Sequence, residues 1–98
     1  MARYEVFRHV DLGYLLDVQS DLLGLLATRV MVPLMPLDQA PEPARRLNPV
    51  FNVEGQAHVM VTQYISAVSC AELGLAVATL EERFDEITMA LDMVLQGY

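Results

Sequence analysis

Steps of four and three residues separate Leu80, Phe84, Ile87, Leu91 and Val94, which puts these five side chains on one stripe of an α-helix. Glu82, Arg83, Asp85, Glu86 and Asp92 fall mostly on the other faces. The pattern predicts a helix from about residue 80 to 96. Thr79 stands where an N-cap is wanted, Glu82 three residues on can complete a capping box, and Gly97 suits the left-handed turn that ends a helix. Such a helix would be roughly 24 Å long at about 1.5 Å per residue, enough to lie across a small sheet.

Upstream, between residues 4 and 70, the period shortens to that of strands. Arg3 to His9 reads as a first strand, Asp11-Leu12-Gly13 as a turn, and Tyr14 to Gln19 as its hairpin partner. In that partner Asp17 and Gln19 share one face, with Asp21 if the strand persists, and Leu16 and Val18 share the other. The leucines of Leu22-Leu23-Gly24-Leu25-Leu26 sit where a loop is due, so they form either a helical turn over the core or an exposed patch. Val30 to Leu34 is a third strand, which Pro33 should confine to an edge or an end. An irregular stretch with Pro36, Pro41 and Pro43 runs to Arg45-Arg46 as a cover or a binding loop. Pro49 to Val53, a turn at Glu54-Gly55 and Gln56 to Thr62 make the clearest hairpin. Ile65 to Cys70 adds a strand, and Ala71 to Ala78, with Gly74, reads as a short helical turn. Strands followed by one helix predict a mainly β domain, a small antiparallel SH3-like barrel or sheet with a C-terminal helix packed on it.

Ninety-eight residues suffice for one domain, and an apolar fraction of 54% exceeds what a core of that size needs. The surplus is expected in a homodimer interface. No run of eighteen apolar residues exists and Met-Ala-Arg-Tyr-Glu-Val lacks the apolar core of a signal peptide, so a cytoplasmic protein without a membrane segment is expected. Thirteen acids stand against six arginines and no lysine, for a net charge of −7. This argues against direct binding to a phosphate backbone and in favour of a protein partner. Cys70, the single cysteine, reads as a small apolar core residue. His9 and His58 lack neighbours at metal-ligand spacing, and His58 alternates with Gln56, Met60 and Thr62 as on a half-exposed strand face. Asp17 and Asp21 could pair, yet no nucleophile, phosphate loop or metal motif accompanies them. Neither catalysis, metal nor cofactor is expected.

Asp17-Val-Gln-Ser-Asp-Leu-Leu23 is the specific motif of the chain, supported by Arg29-Val-Met-Val-Pro-Leu34, Leu47-Asn-Pro-Val50 and the glycine after a C-terminal helix. Together they resemble the CcdB family of bacterial toxins over most of the chain. The resemblance implies a homodimer that poisons DNA gyrase by inserting its helix ends at the A-subunit dimer. It also implies neutralisation by a CcdA-like antitoxin and contact with DNA only through that antitoxin, in repression of their shared operon. Carried over by position, the target-binding residues are Leu22, Leu23, Asp92, Leu95, Gln96, Gly97 and Tyr98. The best-known ending of the family is Phe-Trp-Gly-Ile, where this chain has Leu95-Gln96-Gly97-Tyr98. Gln96 thus replaces a stacking tryptophan and Asp92 an asparagine, and Tyr98 is expected to supply a displaced aromatic. Alternatives are an antitoxin-binding operon regulator that has lost gyrase poisoning, and a poison of another type II topoisomerase. An mRNA nuclease fits less well, because it needs basic or acid/base residues gathered on one face. The negative charge further predicts an antitoxin tail carrying several Arg or Lys residues.

Overall fold

The computed structural model describes residues 1–97. Its strands are β1 (Glu5–His9), β2 (Gly13–Asp17), β3 (Thr28–Pro36), β4 (Val50–Val53), β5 (Gln56–Met60), β6 (Ser66–Ser69) and β7 (Ala76–Thr79), followed by helix α1 (Phe84–Gln96). All pairings are antiparallel. The strand order is β4-β5-β3-β2-β1-β7, with β6 also on β3, so the sheet curls as a half-barrel with β4 and β7 at its ends. The mainly β architecture with one terminal helix is the one expected.

Two turns show how residue type sets the register. Gly13 takes φ +76° to close β1 onto β2, and the imidazole Nδ1 of His9 accepts hydrogen bonds from the backbone N–H groups of Asp11 (3.1 Å) and Leu12 (3.2 Å). Glu54 (φ +50°) and Gly55 (φ +84°) are both left-handed, the signature of a two-residue type I′ hairpin turn, which matches the twist of β4 and β5.

β3 is the spine of the sheet, not an edge, and here the expectation from Pro33 fails. β3 pairs with β2 along one side. On the other side it takes β6 at Thr28 to Met31 and β5 at Leu34 to Pro36. Pro33 falls in the gap between those two partners, its carbonyl accepting from the Val61 N–H at 3.0 Å. In an extended strand a residue's N–H and C=O point the same way, so the missing donor faces a place where no ladder bond is due.

The two sheet faces bury separate clusters. Val6, Leu16, Val18, Val32, Leu34, Phe51, Val53 and Met60 share the larger with Leu80, Ile87 and Ala90. Phe7, Leu15, Met31 and Val68 form the smaller, with Leu73 against it. The faces of β2 alternate as predicted, but Asp17 and Gln19 are buried rather than solvated. His58 is buried too, against the expectation of a half-exposed face, its ring edge-on to Tyr14 at 5.1 Å. Cys70 is only half-buried, with Sγ 3.7 Å from the Leu26 carbonyl oxygen. The proline-rich stretch is mostly exposed, and the buried Asn48 fixes the chain just beyond it. Its Nδ2 donates to Met60 O (3.0 Å) and Gln63 Oε1 (2.8 Å), and Thr62 Oγ1 donates to Leu47 O.

The terminal helix begins later than its periodicity predicts. Ala76 to Ala78, expected as part of a helical turn, and Thr79, expected as an N-cap, pair with β1 as a strand beyond the expected strand region, and Leu80 N–H still donates to Tyr4 O at 2.8 Å. A 3-10 turn at Glu81–Arg83 then leads into α1. Thr79 Oγ1 accepts from Glu81 N–H at 3.3 Å, two residues on, so the capping box with Glu82 does not form. Asp85 and Glu86 in the first turn complement the helix dipole instead. The thirteen residues of α1 bury Ile87 and Ala90, while Phe84, expected on the stripe, is half exposed. The stop is the one expected: Gly97 at φ +82° closes the helix, its N–H on Met93 O at 2.9 Å.

Candidate functional site

The polar residues of Asp17-Val-Gln-Ser-Asp21 are structural pins for the leucine loop that follows them. Asp17, fully buried at the end of β2, accepts a hydrogen bond from Arg29 Nε on Oδ2 at 2.8 Å, and Nη2 lies at ion-pair distance from the same oxygen, 2.7 Å away. Its other oxygen accepts from the Gln19 N–H at 3.0 Å. Burial pushes the Asp17 carboxyl above its ordinary pKa, while the Arg29 guanidinium and the Gln19 N–H pull it back. Gln19 spans the loop: its Nε2 donates to Leu23 O at 3.0 Å and its Oε1 accepts from Val30 N–H at 3.1 Å. Ser20 Oγ caps the 3-10 turn Asp21–Leu23 by accepting from Leu22 N–H, and Asp21 Oδ1 accepts from Arg3 N–H at 2.8 Å.

What these pins hold up is apolar and open to solvent. Leu22 is 94% exposed and Leu25 fully so, with Leu23 and Leu26 half exposed. Of the two readings of the leucine run, the exposed patch is therefore correct, though its first residues do form a helical turn. The loop stands beside the end of α1. Leu23, Asp92 and Leu95 line one groove of about 340 Å³, together with Arg3, Val30 and Leu91. Three of the expected target-binding residues thus converge from separate elements. Leu22, Gln96 and Gly97 are exposed outside the groove lining, and Tyr98 lies outside the described residues.

Arg29 is the residue that sequence reasoning missed. The available signal was an arginine inside an apolar strand run, downstream of an aspartate predicted on a strand face. Among the described residues no group of three or more His, Cys, Asp or Glu side chains could hold a metal ion, and no helix is long and apolar enough to cross a membrane.

The family model described as CcdB protein matches residues 3–97. The chain belongs to the CcdB family. That match spans both the leucine loop and α1, so the two walls of the groove lie within one family domain. Among solved structures, an endoribonuclease in complex with its cognate antitoxin, from Mycobacterial species, superposes with a TM-score of 0.78 at 19% identity, covering 97% of this chain and 94% of that one. An endoribonuclease from Mycobacterial species also gives 0.78, at 20% identity, with coverage of 97% and 90%. At such identities the likeness shows that this chain shares their fold, and nothing more.

Proposed function

We propose that this CcdB-family protein is the toxin of a toxin-antitoxin module, which binds the A subunit of DNA gyrase as a homodimer and poisons the enzyme, and which a CcdA-like antitoxin neutralises. The observation that carries the reading is the groove. Leu23 of the exposed leucine loop and the end of the terminal helix, from the two segments the family resemblance assigns to target binding, meet around one cavity in a chain whose family is established. The poison acts by binding, in the cytoplasm, and forms no covalent bond of its own. Homodimerisation is supported by the surplus of exposed apolar side chains, and an antitoxin partner by the neighbour of the same fold that was solved with its cognate antitoxin. DNA contact, in repression of the operon, runs through the antitoxin, in keeping with a net charge of −7.

The test is a titration of purified A and B subunits with the protein, scoring cleaved DNA and lost supercoiling. Poisoning predicts cleaved DNA that disappears when Gly97 and Tyr98 are deleted. Absence of any effect from a folded dimer would reject gyrase poisoning. It would favour the second reading, an antitoxin-binding operon regulator or a poison of another type II topoisomerase, which rests on Asp92 and Gln96 replacing the family's asparagine and tryptophan.

A further inference from the structure

A second cavity, of about 380 Å³, lies at the other end of β2 from the leucine loop, between the β1–β2 turn and the ends of β3 and β5. Its walls divide by chemistry. Leu12, Met35 and Pro36 supply apolar surface, whereas Asp11, Gln39 and His58 supply hydrogen-bonding groups, and no arginine lines it.

His58 makes this a built site. It is 2% exposed, and its Nδ1 lies 2.8 Å from the Gln56 carbonyl oxygen, a contact that places the proton on Nδ1 and leaves a lone pair on Nε2. The ring is held by the edge of Tyr14, whose hydroxyl donates to Glu54 Oε2 at 3.0 Å. Glu54 in turn is gripped by Arg8 Nη2 at 2.7 and 2.9 Å.

A cavity that offers a carboxylate and an imidazole lone pair and no cation repels phosphate and carboxylate ligands and favours a cation rich in N–H donors. Its apolar wall suits the aliphatic stem that carries such a head. A guanidinium, planar and with five donors, can address several acceptors at once where an ammonium is a single point charge. We propose that this cavity receives an arginine side chain of the protein's polypeptide partner, with the stem against Leu12, Met35 and Pro36 and the guanidinium on Asp11 and His58 Nε2. The inference rests on the antitoxin reading only for the identity of that partner. The net charge of −7 would steer a basic segment toward this surface.

The experiment is an NMR titration of the full chain with acetyl-Gly-Arg-Gly-amide, following the ring protons of His58. The control is the same peptide with citrulline, which keeps the shape and removes the charge. The expected result is a saturable shift of the His58 signals by the arginine peptide, weakened about tenfold or more by citrulline or by Asp11→Asn, since a hydrogen bond to a charged group is lost in each. Asp11 is exposed, so its variant is expected to fold, and Gln39→Ala provides a second exposed position on the same wall. The absence of a saturable shift, equal binding of the citrulline peptide, an unchanged affinity in Asp11→Asn, or tighter binding of spermidine than of the peptide would each overturn the proposal. Because no topoisomerase enters the measurement, its failure leaves the gyrase reading standing, and the converse also holds.

Discussion

Arg29 is the largest side chain that the fold buries completely, and only one of its three nitrogens makes a well-aligned hydrogen bond. Nη2 lies at ion-pair distance from Asp17 but off the hydrogen-bond direction, and Nη1 has no partner. A charge so placed tolerates the loss of its counter-ion badly. Asp17→Ala is expected to lower unfolding free energy by about 3 kcal/mol or more, because it leaves the buried guanidinium with only the exposed Asp21 carboxylate, 3.9 Å from Nη2, as a counter-ion. Replacing both residues, as in Asp17→Leu with Arg29→Met, should cost clearly less than the single change, and urea denaturation of the three variants measures the difference. The exposed cluster behaves otherwise. Hydrogen bonds from Arg8, then from Tyr14, hold the Glu54 carboxyl below its ordinary pKa. A carboxylate depressed in this way favours the folded state above its unfolded pKa, and that benefit is lost as pH falls through the folded value. Stability curves of the wild type and Glu54→Gln are therefore expected to differ near neutrality and converge in acid, by a small amount because solvent screens the pair.

At the scale of elements, hairpin turns and helix ends are set locally and partner choice is not. Gly55 at φ +84° has open space around an added Cβ, so the cost of Gly55→Ala is conformational rather than steric. It is expected at about 1 kcal/mol, which for a domain of this size lowers the melting temperature by about 4–8 °C in a thermal scan. The start of α1 shows the opposite case. The stripe from Leu80 is helical in period, yet the chain up to Thr79 pairs with β1, whose backbone would otherwise lack a partner on that side. Leu80 then belongs to the strand's last hydrogen bond rather than to the helix's first turn.

Across the whole molecule, the leucine loop and the helix end can be altered without disturbing the core, because the residues that hold the loop differ from those it displays. Leu22→Ser with Leu25→Ser changes only exposed positions and is expected to shift stability by no more than about 0.5 kcal/mol each, while the variant loses gyrase poisoning. A matched pair of thermal melts and DNA-cleavage assays checks both halves of that statement. A homodimer is expected in sedimentation at micromolar concentration, and a monomer there would remove the two-fold presentation of helix ends that the proposed poisoning requires.

The mainly β class, the Glu54-Gly55 hairpin, the glycine stop at Gly97 and the alternation of faces in β2 were determined by the sequence itself. Each depends on neighbours a few residues apart or on a single φ value, and such physics is local. Leu23, Asp92 and Leu95 were legible as site candidates through the family resemblance, but their convergence was not. Tertiary structure alone decided that Pro33 sits mid-sheet between two partners, that Asp17 and His58 are buried, and that Ala76 to Thr79 form a strand. In each instance the deciding contact comes from far along the chain: Arg29 for Asp17, Tyr14 for His58, β1 for β7. Local propensity yields when a distant backbone or counter-charge offers the satisfaction that burial demands.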